Sequence, residues 1–386
     1  MAARTRFSVR SFPRQSWSCD VNFSLTEERQ MLQDGLRRFL GDSVTHEKIA
    51  AATDSATGFD GEVWQGLVEM GLPAAMFSES LGGFGGAGFD IMVVFEELGR
   101  AGLPTPLMES AVQAGTLLAD RFELVEAIVG GEIIACAHAE PGSRYELNHV
   151  ATIAEKADSG WQIKGAKAIV HHATAAGRMI VSARTTGSQT DRDGISLFLV
   201  APDQLKLRDY PLNGGGRAAE VTLDCSVPDE ALIGEPGQAL ESLEAADARA
   251  CAAQCAEALG MMETIKALTV DYLRQRRQFG QPIGKFQALQ HRMADMLIEI
   301  EQARSAVINL CGNLDGPERD LHVSAAKNLI GRTARLVVEE SIQMHGGIGM
   351  TQEYALGHFA KRLTMVDHRF GDADYHLERF IRLSAA

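Results

Sequence analysis

Two stretches in the last third of the chain carry residues whose types and spacing suit a dinucleotide. In RRQFGQPIGKFQALQHRMADM (276–296), Arg276 offers a planar bidentate cation, Phe279 a flat apolar face and Gln287 an amide that donates and accepts. In QMHGGIGMTQEYALGHFAKR (343–362), Gly346 and Gly347 let backbone N–H groups approach a ligand without Cβ interference. A pyrophosphate needs the cation and the amides, and an adenine needs the wall. The plainer alternative makes Arg276 a surface ion-pair partner and HGGIG a helix-ending turn.

The elements that must position these residues fall into three blocks, an α+β order. Residues 22–130 read as helices: TEERQMLQDGLRRFL places apolar residues at 31, 32, 36, 39 and 40, a helical stripe, and FDGEVWQGLVEMGL and FDIMVVFEELGRAG repeat the pattern. Between them SESLGGFGGAG matches GxGxxG formally, but a dinucleotide fingerprint requires a strand before it, and its neighbours read as helical. Residues 131–235 change period. EIIACAHAE, HVATIAEKA, GWQIKGAKAIV, RMIVSART, GISLFLVAP, LKLRDYPL and AEVTLDCSV are strand-like runs divided by turn residues, which predicts an antiparallel barrel or sandwich. Residues 236–386 are Ala/Leu-rich and helical again.

The totals set limits. A net charge of −14 argues against a general nucleic-acid binder, and no apolar run reaches the length of a membrane span. The six cysteines are scattered without CxxC spacing and complete no metal set, so they read as buried hydrophobes in a reducing compartment, and no metal is expected. Residues 1–21 stand apart, with four arginines before the first acid. Such a leader suggests an organellar transit peptide and a mitochondrial matrix location. The favoured alternative starts translation at Val21, with Ser24 and Glu27 as a capping box, and implies a bacterial cytoplasmic protein. Either way the leader is expected to be disordered.

The two C-terminal stretches and the helix–sheet–helix order resemble the acyl-CoA dehydrogenase family from about residue 22 to the end. AEPG (139–142) and ALIGEPGQAL (231–240) fall where its members carry comparable turns. FQALQHRMADM and FGDADYHLERF further resemble small subunits of pimeloyl-CoA-type dehydrogenases, which act on dicarboxylic or other unusual acyl chains. The resemblance implies a C-terminal four-helix bundle, FAD as cofactor, an acyl-CoA substrate and electron transfer to an electron-transferring flavoprotein. It also implies that Arg276, Gln278, Phe279, Gln287, Gln343, Gly346 and Gly347 reach across a dimer interface to a neighbour's FAD.

Three departures follow from the same comparison. The hydroxyl expected before Glu-Pro is replaced by Ala139, and the aromatic-plus-hydroxyl stretch beside the flavin ring by Ile169-Val170-His171. His171 and His172 should alternate faces of a strand and so share no metal. EPGSRYEL puts Ser143, Arg144 and Tyr145 where a glycine-serine turn touches substrate phosphate, with Arg144 a candidate phosphate ligand. Counting from Gly346-Gly347, the family's catalytic Glu-Gly falls on Phe370-Gly371, and phenylalanine takes no proton. The other position used by relatives falls on Ala250. Asp247, one turn earlier, is the candidate base, with a dipole-complementing role as its alternative. Asp372 should point away from the Phe370 direction, and Glu257 reads as structural.

The departures together suggest one half of a heteromeric acyl-CoA dehydrogenase, whose paralogous partner supplies the base. The alternatives are a self-sufficient homotetramer using Asp247, a non-catalytic acyl-CoA- or flavin-binding subunit, and a flavin oxidase or oxygenase on the same scaffold.

Overall fold

The computed structural model describes residues 25–351 and 353–385; the leader lies outside them. Helix α1 (Glu27–Ser43) begins where Thr26 accepts the Arg29 N–H and two acids occupy its first turn. It is followed by α2 (His46–Asp54), α3 (Gly61–Glu69) and the almost wholly buried α4 (Gly88–Ala101). Arg29–Asp90 at 2.7 Å and a bidentate Arg37–Glu97 pair at 2.6 and 2.9 Å fasten α1 to α4. A π-helical turn, Met108–Ala114, runs into α5 (Gly115–Leu117), and α6 (Phe122–Val129) ends the block.

The glycine loop before α4 has no strand ahead of it. Its N–H groups close on their own neighbourhood, Gly85 to the Phe77 carbonyl at 2.8 Å and Gly86 to that of Ala75 at 2.9 Å. It is a packed turn rather than a dinucleotide cradle.

The middle block contains the seven expected strands, β1 (Ile134–Ala137), β2 (Ile153–Ala157), β3 (Gly160–His171), β4 (Arg178–Arg184), β5 (Ile195–Val200), β6 (Lys206–Pro211) and β7 (Arg217–Val227), and a short β8 (Leu232–Ile233). They form one sheet in the order β6-β7-β3-β2-β4-β5-β8, with β1 also on β4. The sheet is mixed rather than purely antiparallel, because β1 and β2 each pair with β4 in parallel. Central β4 is buried along nearly its whole length, as a strand covered on both faces must be.

The last block comprises α7 (Leu240–Gln275), α8 (Gln287–Gly312), α9 (Arg319–His345), α10 (Ala355–Met365) and α11 (Ala373–Ser384). Helix α7 crosses α4 at backbone contact. A Cβ on Gly99 would meet the Glu257 carbonyl at 2.0 Å, and one on Gly260 would meet that of Glu96 at 2.0 Å. Beside this crossing, Arg304 bridges Glu96 at 3.2 Å and Glu263 at 2.8 Å, joining α8 to both helices. Among the described residues no helix is long and apolar enough to cross a membrane, and no group of three ligands could hold a metal.

Candidate active site

A cavity of about 830 Å³ lies where the β domain, α7 and the last helices meet, in the upper range for a small-molecule site. One stripe of α7 lines it: Glu244, Asp247, Ala248, Gln254, Glu257 and Met261. That spacing is what one face of a helix presents to a single groove.

The β wall is set by a buried ion pair. Lys167 Nζ lies 2.6 Å from Glu140 Oε1 and also donates to Ser182 Oγ at 2.9 Å, while Glu140 accepts the N–H groups of Ala151 and Thr152. With both partners buried and both carboxylate oxygens hydrogen-bonded, the pair fixes the EPG turn against β3. Ala139 accepts the Ala168 N–H at 2.8 Å, so the substituted positions 139, 169 and 171 stand together on the cavity wall.

The two histidines depart from the alternation expected of a strand. The register of β3 shifts between Lys167 and Val170, and Ile169 and His172 both adopt φ of +53°. Both imidazoles therefore face the same carboxylate, His171 Nδ1 and His172 Nε2 each 3.8 Å from Glu109. Glu109 comes from the π-helical turn and pairs with Arg369 at 2.8 Å. Burial opposes its ionisation, but the charge of the adjacent Arg369 guanidinium outweighs that and holds it down to about 2. Burial is the first cause that keeps both histidines neutral. Sequence reasoning missed Glu109 altogether; a lone acid in MESAVQA carries no signal of its tertiary partners.

Phe370 also lines the cavity, in a turn with φ of +57° at Phe370 and +97° at Gly371. The turn is held from behind. Lys327 donates to the carbonyls of Val366 at 2.8 Å and Gly371 at 2.6 Å, and His376 Nε2 donates to that of Phe370 at 2.6 Å. Asp372 caps α11 by accepting the Tyr375 N–H at 2.8 Å, which accounts for its carboxylate. Glu257 pairs with Arg362 at 2.5 Å, a structural role, although it also lines the cavity.

Asp247 differs from the other acids of the wall that are not open to solvent; Glu146, also unpaired among the described residues, is exposed. Glu109, Glu244, Glu257 and Asp320 each have an arginine within 3.0 Å. Among the described residues, no hydrogen bond or close ion pair engages the Asp247 carboxylate. Burial pushes its pKa up to about 6, against the weaker pull of Arg379, Arg369 and Lys327. Ala250 is fully buried in the helix packing and offers nothing to the cavity.

The seven dinucleotide candidates lie elsewhere. Arg276, Gln278, Phe279, Gln287, Gln343, Gly346 and Gly347 are all exposed, and none lines this cavity. They share one end of the helical bundle, where Tyr272, a turn before Arg276, stacks on His345 at 4.5 Å. Phe279 is 90% exposed, and a Cβ on Gly346 or Gly347 would meet nothing within 4 Å. A cation, a free ring face and open backbone directed outward fit a dinucleotide held by another subunit.

Three family models match the chain in order: acyl-CoA dehydrogenase N-terminal domain over residues 26–120, middle domain over 135–223 and C-terminal domain over 247–382. The chain belongs to the acyl-CoA dehydrogenase family. Acyl-CoA dehydrogenase IpdE2 of Mycobacterium tuberculosis is 31% identical over 337 residues, 87% of this chain and 91% of that protein. Benzylmalonyl-CoA dehydrogenase of Aromatoleum aromaticum is 28% identical over 375 residues, 90% of this chain and 95% of its own. Among solved structures, the Tcur3481–Tcur3483 steroid acyl-CoA dehydrogenase superposes with a TM-score of 0.83 at 30% identity, covering 93% of this chain and 98% of that one. The protein is thus an oxidoreductase with the FAD-binding fold of these dehydrogenases, and its general chemistry is FAD-dependent oxidation of an acyl-CoA thioester.

Proposed function

We propose that this dehydrogenase carries its own base, Asp247, and works as one subunit of a heteromeric acyl-CoA dehydrogenase. The observation that carries the first part is the unpaired, partly buried carboxylate on the cavity wall; the other acids there are committed to arginines, apart from solvent-exposed Glu146. Asp247 takes the α-proton of the thioester, and its elevated pKa makes it a stronger base than an ordinary aspartate while leaving it mostly ionised at neutral pH. FAD, when bound, would supply the acceptor for the hydride that leaves Cβ as the α C–H bond is broken. Arg144 and Arg382, which line the same cavity, supply positive charge for the CoA phosphates.

The heteromeric part rests on asymmetry. The exposed arm around Arg276 and Phe279 is complete, whereas Ala139, Ile169 and His171 give this chain's ring wall neither hydroxyl nor aromatic group. A paralogous subunit whose flavin is clasped by the arm reconciles the two, and an electron-transferring flavoprotein takes the electrons onward. FQALQHRMADM and FGDADYHLERF support a place beside pimeloyl-CoA-type small subunits, and the steroid relative supports a bulky acyl group; both point away from plain fatty chains.

The rival assignment of the base to the partner, favoured by the missing carboxylates at Phe370 and Ala250, is separated by one experiment. Co-expression with a paralogous acyl-CoA dehydrogenase subunit should give an FAD-containing complex that oxidises acyl-CoA. In it, Asp247→Asn should remove turnover and leave FAD bound; full activity would assign the base to the partner. Robust activity and stoichiometric FAD in the chain alone would establish the self-sufficient homomer instead.

A further inference from the structure

We infer that the acyl group accepted by this cavity bears a hydroxyl roughly 10 Å beyond the carbon that loses the proton, recognised by Glu109 and Gln254. The inference rests on the assignment of the cavity as the acyl site.

The direction of the substrate follows from exposure. Glu244 and its partner Arg192, whose side chain is 68% exposed, mark the mouth, at the start of the α7 stripe. Asp247 comes next, and the stripe then descends to buried Gln254 and to Glu257. Seven residues separate Asp247 from Gln254, two turns of helix and roughly 10 Å along its axis. Glu109 and His172 belong to the same deep end. Both histidines feel Arg362, which is bound to Glu257 one turn beyond Gln254, and the Met108–Ala114 turn packs on α7.

This end is polar where an alkyl-chain site would be apolar. Three of its buried side-chain atoms lack a hydrogen-bond partner among the described residues: Glu109 Oε2, Gln254 Oε1 and His172 Nδ1. The residues are 3%, 5% and 4% exposed. An alkyl terminus would seal these groups from water with nothing in return, a penalty that disfavours binding.

A carboxylate terminus fits no better. The two deep guanidiniums are already taken, Arg369 by Glu109 Oε1 and Arg362 by Glu257, so an added anion would confront the ionised Glu109 carboxylate. A hydroxyl is neutral, donates to Glu109 Oε2 or Gln254 Oε1, and accepts from the Gln254 amide or a neutral imidazole. It satisfies one of the orphaned acceptors and engages a neighbouring donor without adding charge.

Equilibrium binding of ω-hydroxyoctanoyl-CoA, octanoyl-CoA and suberyl-CoA to the FAD-loaded Asp247→Asn complex tests this without turnover. The hydroxy thioester should bind at least about 10-fold tighter than either of the others, the scale of one buried hydrogen bond. Gln254→Leu in that background should erase most of the preference and tighten octanoyl-CoA. Equal or tighter binding of octanoyl-CoA, or tightest binding of suberyl-CoA, overturns the inference. Turnover of the same thioesters by the unsubstituted complex separates the two proposals. A hydroxyl preference in binding with no thioester oxidised would overturn the dehydrogenase assignment alone, and oxidation without preference would overturn the hydroxyl alone.

Discussion

If Asp247 is a base kept by burial, removing its charge must stabilise the protein while abolishing catalysis. The folded pKa of about 6 lies above the ordinary aspartate value of 3.8. Between those values the unfolded chain loses the proton and the folded chain keeps it, so stability falls as pH rises through this window and is level above it. At about 1.4 kcal/mol per pH unit, the full penalty is about 3 kcal/mol, reached near pH 7. An uncharged amide at this position would be free of it. The stability difference between Asp247→Asn and the parent should therefore grow with pH; about half the penalty is already present at pH 5, so roughly 1.4 kcal/mol appears between pH 5 and 7.5.

Thermal melts of both proteins across that range give the answer, since any pH-independent packing change cancels from the slope. For a chain of this length the gap in melting temperature should widen on the order of 2 °C. A gap that is flat with pH, or one that narrows, refutes the burial argument. Activity provides the second readout. kcat/KM should rise with pH through an apparent pKa near 6, in contrast to the rise near 4 of an ordinary carboxylate.

Arg379 is the strongest of the charges opposing Asp247 protonation, so Arg379→Met should move that kinetic pKa to higher pH; an unchanged profile would place the titrating group elsewhere. Gly260→Ala should cost about 3 kcal/mol in a denaturant melt, because the new methyl meets the Glu96 backbone and neither helix can yield alone. Arg276→Ala and Phe279→Ala should lower FAD retention after gel filtration while leaving the melting temperature within a degree or so of the parent, both side chains being exposed. Phe370→Glu placed in the Asp247→Asn background restores a carboxylate on the same cavity, from the turn still held by Lys327 and His376. Partial recovery of turnover is expected, and none at all with FAD and thioester bound would show the turn to be out of reach of the proton.

The three-block order and all seven strands were legible because they depend on local periodicity: β7 alternates buried and exposed along most of its length, as AEVTLDCSV does on paper. Two details escaped for the opposite reason. The parallel pairings of β1 and β2 with β4 are long-range choices that no strand's own pattern records. The shared orientation of His171 and His172 depends on backbone angles at Ile169 and His172 that neither side chain favours, so alternation gave the wrong answer there. The polar end of the cavity was invisible too: Glu109, Gln254 and Arg369 belong to separate segments, and Gln254 sits in CAAQCAEAL with nothing to distinguish it from a helix filler.

On the proposed reading, with Asp247 as the base, the Phe370 ring and the Asp247 carboxylate belong to one change. The turn at Phe370-Gly371 keeps its left-handed backbone at both residues and three hydrogen bonds from buried Lys327 and His376, although it has no proton to take. A residue with φ of +57° is strained for a phenyl side chain, and such strain persists only where the surroundings hold it. What the turn now provides is wall. Phe370 lies under the Arg369 guanidinium at 4.4 Å, the same guanidinium that pairs with Glu109 at 2.8 Å. An apolar ring in place of a carboxylate removes a charge that would have repelled Asp247 and takes water from the space it faces. Low solvation is the first cause of the elevated Asp247 pKa. On that reading the Phe370 ring leaves Asp247 as a single carboxylate beside an apolar group, a simpler proton acceptor than two carboxylates that must share a proton.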